Sequence, residues 1–94
     1  MSEQVLTLHL AVEAEDFMKV RLLLEQGAEI DARNEGGYTP LHLAATHYVP
    51  DIADYLLAHG ADIHSRDRSG KTALDMAAWY GRLEATRLLL EKGV

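Results

Sequence analysis

The sequence predicts an all-α solenoid of three stacked helix-turn-helix units, and three observations carry that prediction. A shift of 33 residues lays the chain on itself, so that "LHLA" at 8–11 falls on "LHLA" at 41–44 and on "LDMA" at 74–77. Gly27, Gly60 and Gly93 coincide in the same register, as do Gly37 with Gly70 and Thr39 with Thr72. The apolar residues also sort into two kinds. Ala11, Ala44, Ala45, Ala77 and Ala78 fall in the first helix of each unit, whereas Leu23, Leu24, Leu56, Leu57, Leu89 and Leu90 fall in the second. Small side chains let backbones approach, so the first helices are expected on the tighter, concave side of a curved stack. One unit cannot bury its apolar stripes alone, and three are about the minimum for a stable solenoid.

The register divides a single domain, 1–94, into units at about 5–37, 38–70 and 71–94. In the first unit Asp16 is the expected N-cap of the second helix, which runs through "RLLLEQG" at 21–27 and returns as "RLLLEKG" at 87–93. In the second unit Thr39 caps a helix through "LHLAATH", and Pro40 takes the first helical position, where its missing amide costs little. Pro50 opens the next helix in the same way, "PDIADYLLAH", and Gly60 closes it as a left-handed cap. In the third unit Thr72 is the cap and Ala73 replaces the proline, which loses rigidity and gains helix propensity. Its helices run through "ALDMAAWY" and "RLEATRLLLEK", the second ending at Gly93 as a left-handed cap. Between units, "IDARNEGGYT" and "IHSRDRSGKT" place Asn34 and Asp67 three residues before a glycine, a β-turn pattern that projects from the stack.

This organisation resembles the ankyrin repeat, with its "TPLH" start, its "LL..GA" second helix and its glycine-bearing hairpin. Residues 38–63, "YTPLHLAATHYVPDIADYLLAHGADI", match closely, and the resemblance runs from about Val5 to Val94. It implies an ankyrin-type α-solenoid whose units are joined by β-hairpin loops. It also implies that His9 and His42 hydrogen-bond around the helix starts and tie adjacent hairpins together. The departures are Thr7 where the proline belongs, Tyr48 where the family usually has glycine, and Asp75 in place of the histidine.

Composition bounds the function. A chain of 94 residues with 48% hydrophobic content has a thin core and little room for an enclosed active site. A net charge of -6 argues against broad nucleic-acid binding, and no apolar run approaches the ~20 residues that cross a bilayer. "MSEQVLTLHL" has neither a basic leader nor a cleavable apolar segment, and zero cysteines suit a reducing compartment, so a cytoplasmic protein is expected. No catalytic, cofactor or metal residues are assigned. His42 with His47 and His59 with His64 are spaced i,i+5, the wrong interval for ligands sharing a helix face. Asp62, His64 and Ser65 are too close in sequence for a catalytic relay. Glu13, Glu15 and Asp16 read as a solvated turn, and "RSGKT" lacks the first glycine of a phosphate loop.

What varies between units is the surface. The pair ending each first helix is Glu13 and Ala14, then Thr46 and His47, then Trp79 and Tyr80, three pairs with no common packing role. The resemblance implies partner contacts at these helix ends and at the loop tips: Thr46, His47, Trp79 and Tyr80, with Arg33, Glu35 and Tyr38 in one finger and Arg66, Arg68 and Lys71 in the next. Four of the nine cationic residues lie on these fingers, beside aromatic anchors. The expected function is a non-catalytic protein-interaction module, a scaffold, adaptor or inhibitor, whose partner is a protein with acidic and apolar features and not a small-molecule substrate. The competing reading of Trp79 is packing over its own helix end. A different class of function is a self-associating solenoid or a piece of a longer array, because Leu88, Leu89 and Leu90 persist in the last unit without a polar cap. Nucleic-acid binding through the fingers, with Trp79 and Tyr80 stacking on bases, is the weakest of the three.

Overall fold

The computed structural model of the chain describes residues 3–47 and 50–93, with side chains from Leu8 onward in those ranges. Six helices follow one another: α1 Glu3–Glu13, α2 Phe17–Glu25, α3 Pro40–His47, α4 Pro50–Ala58, α5 Ala73–Trp79 and α6 Leu83–Gly93. Each consecutive pair forms an antiparallel unit. α1, α3 and α5 pack side by side in one layer and α2, α4 and α6 in another, the first being the more closely packed. Side-chain size explains the difference, since Ala11, Ala44 and Ala77 are buried in the first layer while leucines separate the helices of the second. The core runs between the layers through Leu8, Val12, Val20, Leu41, Ile52, Leu56 and Leu89.

The helix ends follow from local chemistry. Asp16 caps α2 by accepting the Lys19 amide at 3.1 Å. Thr72 caps α5 in a reciprocal box, accepting the Asp75 amide at 3.2 Å while the Asp75 carboxylate accepts the Thr72 amide at 2.9 Å. Gly27 and Gly60 turn left-handed, at φ 97° and 94°, and the amides of Ala28 and Ala61 then reach back to the carbonyls of Leu23 and Leu56. Gly93 differs from expectation, being the last residue of α6. Its backbone is not left-handed, unlike that of Gly27 and Gly60.

Two further expectations change. The β-hairpin loops are absent, since no β-strand occurs among the described residues. Each loop is instead closed around one side chain: the Asn34 Oδ1 accepts the amides of Gly36 and Tyr38, both at 3.0 Å, and the Asp67 carboxylate those of Ser69 and Lys71, at 2.8 and 2.9 Å. Those amides are thereby occupied, and one backbone bond from the Arg68 amide to the Gly36 carbonyl joins the two tips, too little for a ladder. The β-turns themselves form as the glycine spacing predicts, with Gly37 at φ 79° and Gly70 at φ 84°. In the first unit, α1 begins at Glu3 and runs through position 7, where the repeat places a helix start. The Thr-Pro punctuation is missing there, so nothing in the sequence stops the helix from extending upstream. Tyr48 lies outside the described residues.

Candidate functional site

The loop after α2 and the loop after α4 stand side by side, held from below by histidine. His42 is buried, and its Nδ1 accepts the Thr39 amide at 3.1 Å. The neutral ring therefore carries its hydrogen on Nε2 and donates it to the Lys71 carbonyl at 2.8 Å. His9 makes the corresponding bond to the Tyr38 carbonyl at 2.7 Å. Each histidine thus fixes the base of the loop that leads into the following unit. Asp75 stands in the third unit at the equivalent position and serves its own helix cap. Its carboxyl is held below the usual range chiefly by the Thr72 amide, with burial opposing and the Thr72 hydroxyl, Arg66 and Lys71 assisting.

The same loops separate their charges. Their aspartates serve the backbone: Asp31 accepts the Asp62 amide at 2.9 Å, Asp62 accepts that of His64 at 2.9 Å, and Asp67 is buried beneath its turn. Arg33, Arg66 and Arg68 are exposed. The loop tips thus present Arg33, Arg66 and Arg68 together with the exposed carboxylate of Glu35, although the chain is acidic as a whole.

The ten residues singled out from the sequence fall into two groups. Arg33, Arg66, Tyr38 and Thr46 are tied into the framework. The Arg33 guanidinium donates to the Arg66 carbonyl of the neighbouring loop, and Arg66 donates to the Gly70 carbonyl at 3.2 Å. Tyr38 is half-buried, its ring edge-on to His42 with centroids 6.0 Å apart. Thr46 donates its hydroxyl back to the His42 carbonyl, and its own carbonyl accepts from Arg82 of the next unit at 2.9 Å. The other six are presented: Glu35, His47, Arg68, Trp79 and Tyr80 are exposed and Lys71 is half-buried. Trp79 is 74% exposed, so it is not packed over its helix end. The Lys71 ammonium lies 6.0 Å from its ring centroid, at the outer limit of a cation–π contact, and this pair joins a loop to a helix end.

Some features were missed from sequence. Leu10, Leu22 and Leu83 are exposed, and Glu15 holds a left-handed conformation at φ 58°. The signal for Glu15 was present, because two steps of the 33-residue register place it on Gly81, whose φ is 68°. Of the remaining histidines, His59 stacks on Tyr55 at 4.0 Å, and His47 and His64 are exposed. Among the described residues no three His, Asp or Glu gather as a metal site, and no helix is long and apolar enough to cross a membrane.

Ankyrin repeats, in three copies, match residues 8–94. The chain belongs to the ankyrin-repeat family. Ankyrin domains generally mediate protein–protein interactions, and the fold described above is that of such a non-catalytic binding module. Among individual proteins, the chain is similar to protein phosphatase 1 regulatory subunit 27 of Homo sapiens and of Mus musculus, at 49% identity over 49 residues in each case. That stretch is 52% of this chain and 32% of either relative, so the chain matches about a third of their length.

Proposed function

We propose that this ankyrin domain, taken as one unit over residues 1–94, binds a partner protein through the surface formed by Arg68, Lys71, Trp79 and Tyr80, with His47 and Glu35 at its margin. The observation that carries the reading is Trp79, the largest side chain in the molecule, standing 74% exposed beside the Lys71 ammonium. An exposed indole backed by a cation is costly to leave in water and suits an apolar knob flanked by carboxylates on the partner. Arg33 and Arg66 contribute positive charge from the loop tips while their guanidiniums stay tied to backbone carbonyls. Because the loops are fixed by His9 and His42, the surface is preorganised and little ordering entropy opposes binding. The partner would be masked, tethered or inhibited by being covered.

The test is affinity capture from the native cell with wild type and the Trp79→Ala, Arg68→Ala double variant side by side, each captured protein being quantified. The proposal expects at least one protein to be retained by wild type and lost from a variant of unchanged helicity. Identical capture sets would remove this surface from the function. The name of the similar human and mouse proteins makes protein phosphatase 1 the first partner to try directly.

A further inference from the structure

The hydroxyl groups of the described serines and threonines differ in whether the fold uses them. The four threonines are committed: Thr39 shares its oxygen with the His42 ring and amide, Thr46 donates to the His42 carbonyl, Thr72 accepts the Asp75 amide, and Thr86 donates to the Arg82 carbonyl. Ser65 is half-buried. Ser69 is exposed, and among the described residues nothing bonds its hydroxyl. It holds the third position of the turn that the Gly70 amide closes onto the Asp67 carbonyl at 3.0 Å. A side chain fits there because of the residue two places on. In the preceding loop the equivalent position is Gly36, where a Cβ would strike the Tyr38 ring at 2.5 Å, whereas Lys71 stands in place of Tyr38 in this loop.

The charges around this hydroxyl are ordered. Arg66 and Arg68, both exposed, precede Ser69 by three residues and by one, and Lys71 follows it by two. In an extended segment residues two apart project to the same side, so one acidic groove wall reads both arginines. The Arg66 guanidinium reaches over the tip, donating at 3.2 Å to the carbonyl of Gly70, the neighbour of Ser69.

We propose that Ser69 is a phosphorylation site for a serine kinase that reads arginine on the N-terminal side of its acceptor, and that the phosphate turns off the binding surface of this domain. The second half rests on the reading of that surface given above. The Ser69 Oγ attacks the γ-phosphorus of ATP, the new Oγ–P bond replacing the bond to the bridging oxygen; ADP leaves with the electron pair, and the hydroxyl proton passes to the kinase's base. To lie extended in the kinase groove the tip releases the Ser69 and Lys71 amides from Asp67, a local opening that leaves the helices in place. Before modification, residues 66–71 carry a net +2, from Arg66, Arg68 and Lys71 against Asp67. A phosphoserine adds about -1.5 to -2 and brings this stretch near neutrality. Arg66 is then drawn onto the phosphate oxygens, and Glu35, exposed on the neighbouring tip, makes the two tips acidic together. An acidic partner loses its attraction to Arg68 and Lys71.

The experiment incubates the 94-residue chain with magnesium-ATP and the catalytic subunit of cyclic-AMP-dependent protein kinase, an arginine-directed enzyme, and reads intact and fragment masses. The expected product carries one phosphate, on Ser69. Ser69→Ala should take up none, and Arg66→Ala should be modified at least ~10-fold more slowly, both with unchanged circular dichroism. No transfer, transfer to another residue, or an equal rate in Arg66→Ala overturns the site, whatever the partner does. The phosphorylated chain then enters the quantified capture beside wild type and the Trp79→Ala, Arg68→Ala variant. Proteins lost by that variant should be lost by the phosphorylated chain as well. Their retention overturns the regulation and leaves the surface standing. Identical capture by wild type and the variant sinks the surface and the regulation with it, and the masses alone then decide Ser69.

Discussion

Replacing His42 by alanine tests whether histidine joins the units and sets the base of the binding loops. The ring is 1% exposed and makes bonds that alanine cannot, from the Thr39 amide and hydroxyl to Nδ1 and from Nε2 to the Lys71 carbonyl. The Thr39 amide is buried, and leaving such a donor unpaired costs about 1–3 kcal/mol. The Lys71 carbonyl is only partly buried, so water recovers some of its loss and about 1 kcal/mol is charged there. The void left by the ring adds a further cost, bringing the sum to about 3–5 kcal/mol. For 94 residues the whole stability is on the order of 5–14 kcal/mol, so the variant should lose roughly a fifth of it or more. In urea this moves the midpoint down by about 2 M, read by far-ultraviolet circular dichroism. Lys71, whose ammonium faces Trp79, is the residue released, so partner affinity should fall with stability. A change below about 1 kcal/mol would refute the reasoning and show that water replaces these bonds.

Three more predictions, made with four substitutions, follow from the backbone and the caps. Glu15→Gly relieves a left-handed side chain at φ 58° and should stabilise by about 0.5–1 kcal/mol, raising the thermal midpoint by roughly 3–6 °C in a melting curve. Gly37→Ala should cost more than Gly70→Ala, although their φ values are 79° and 84°. A Cβ at Gly37 would meet the Arg68 backbone nitrogen at 2.8 Å, whereas at Gly70 nothing lies within 4 Å, and paired melting curves read the difference. The carboxyl of Asp75 is depressed in the folded chain, so its stabilisation is present above the ordinary carboxylate pKa and is lost as the pH falls through the lower folded one. Stability measured against pH should lose that acid-side step in Asp75→Asn. Because Asp75 is exposed, the step should be small.

The fold was legible because it repeats. Thr39, Pro40, Pro50, Gly60 and Thr72 punctuate helices by local rules, and the threonine and glycine signals recur in a register of 33 residues while each proline occurs once. The hairpins were not legible, because Asn34 and Asp67 can serve a ladder or gather the amides of their own loop, and only the folded chain shows which occurs. Thr7 illustrates a second limit: a missing start signal reveals that a helix has lost its stop, and not how far upstream it extends. Within the candidate site the sequence picked out the exposed aromatics at 79 and 80. It could not separate Arg33 from Arg68, since commitment of a guanidinium to a carbonyl 33 residues away is a property of loops standing side by side.

The most direct test of the proposed binding surface is a calorimetric titration of the captured partner into wild type and Trp79→Ala. The proposal expects affinity to drop at least ~30-fold, about 2 kcal/mol, with helicity and thermal midpoint unchanged because Trp79 is 74% exposed. Equal affinities for the two proteins would contradict it.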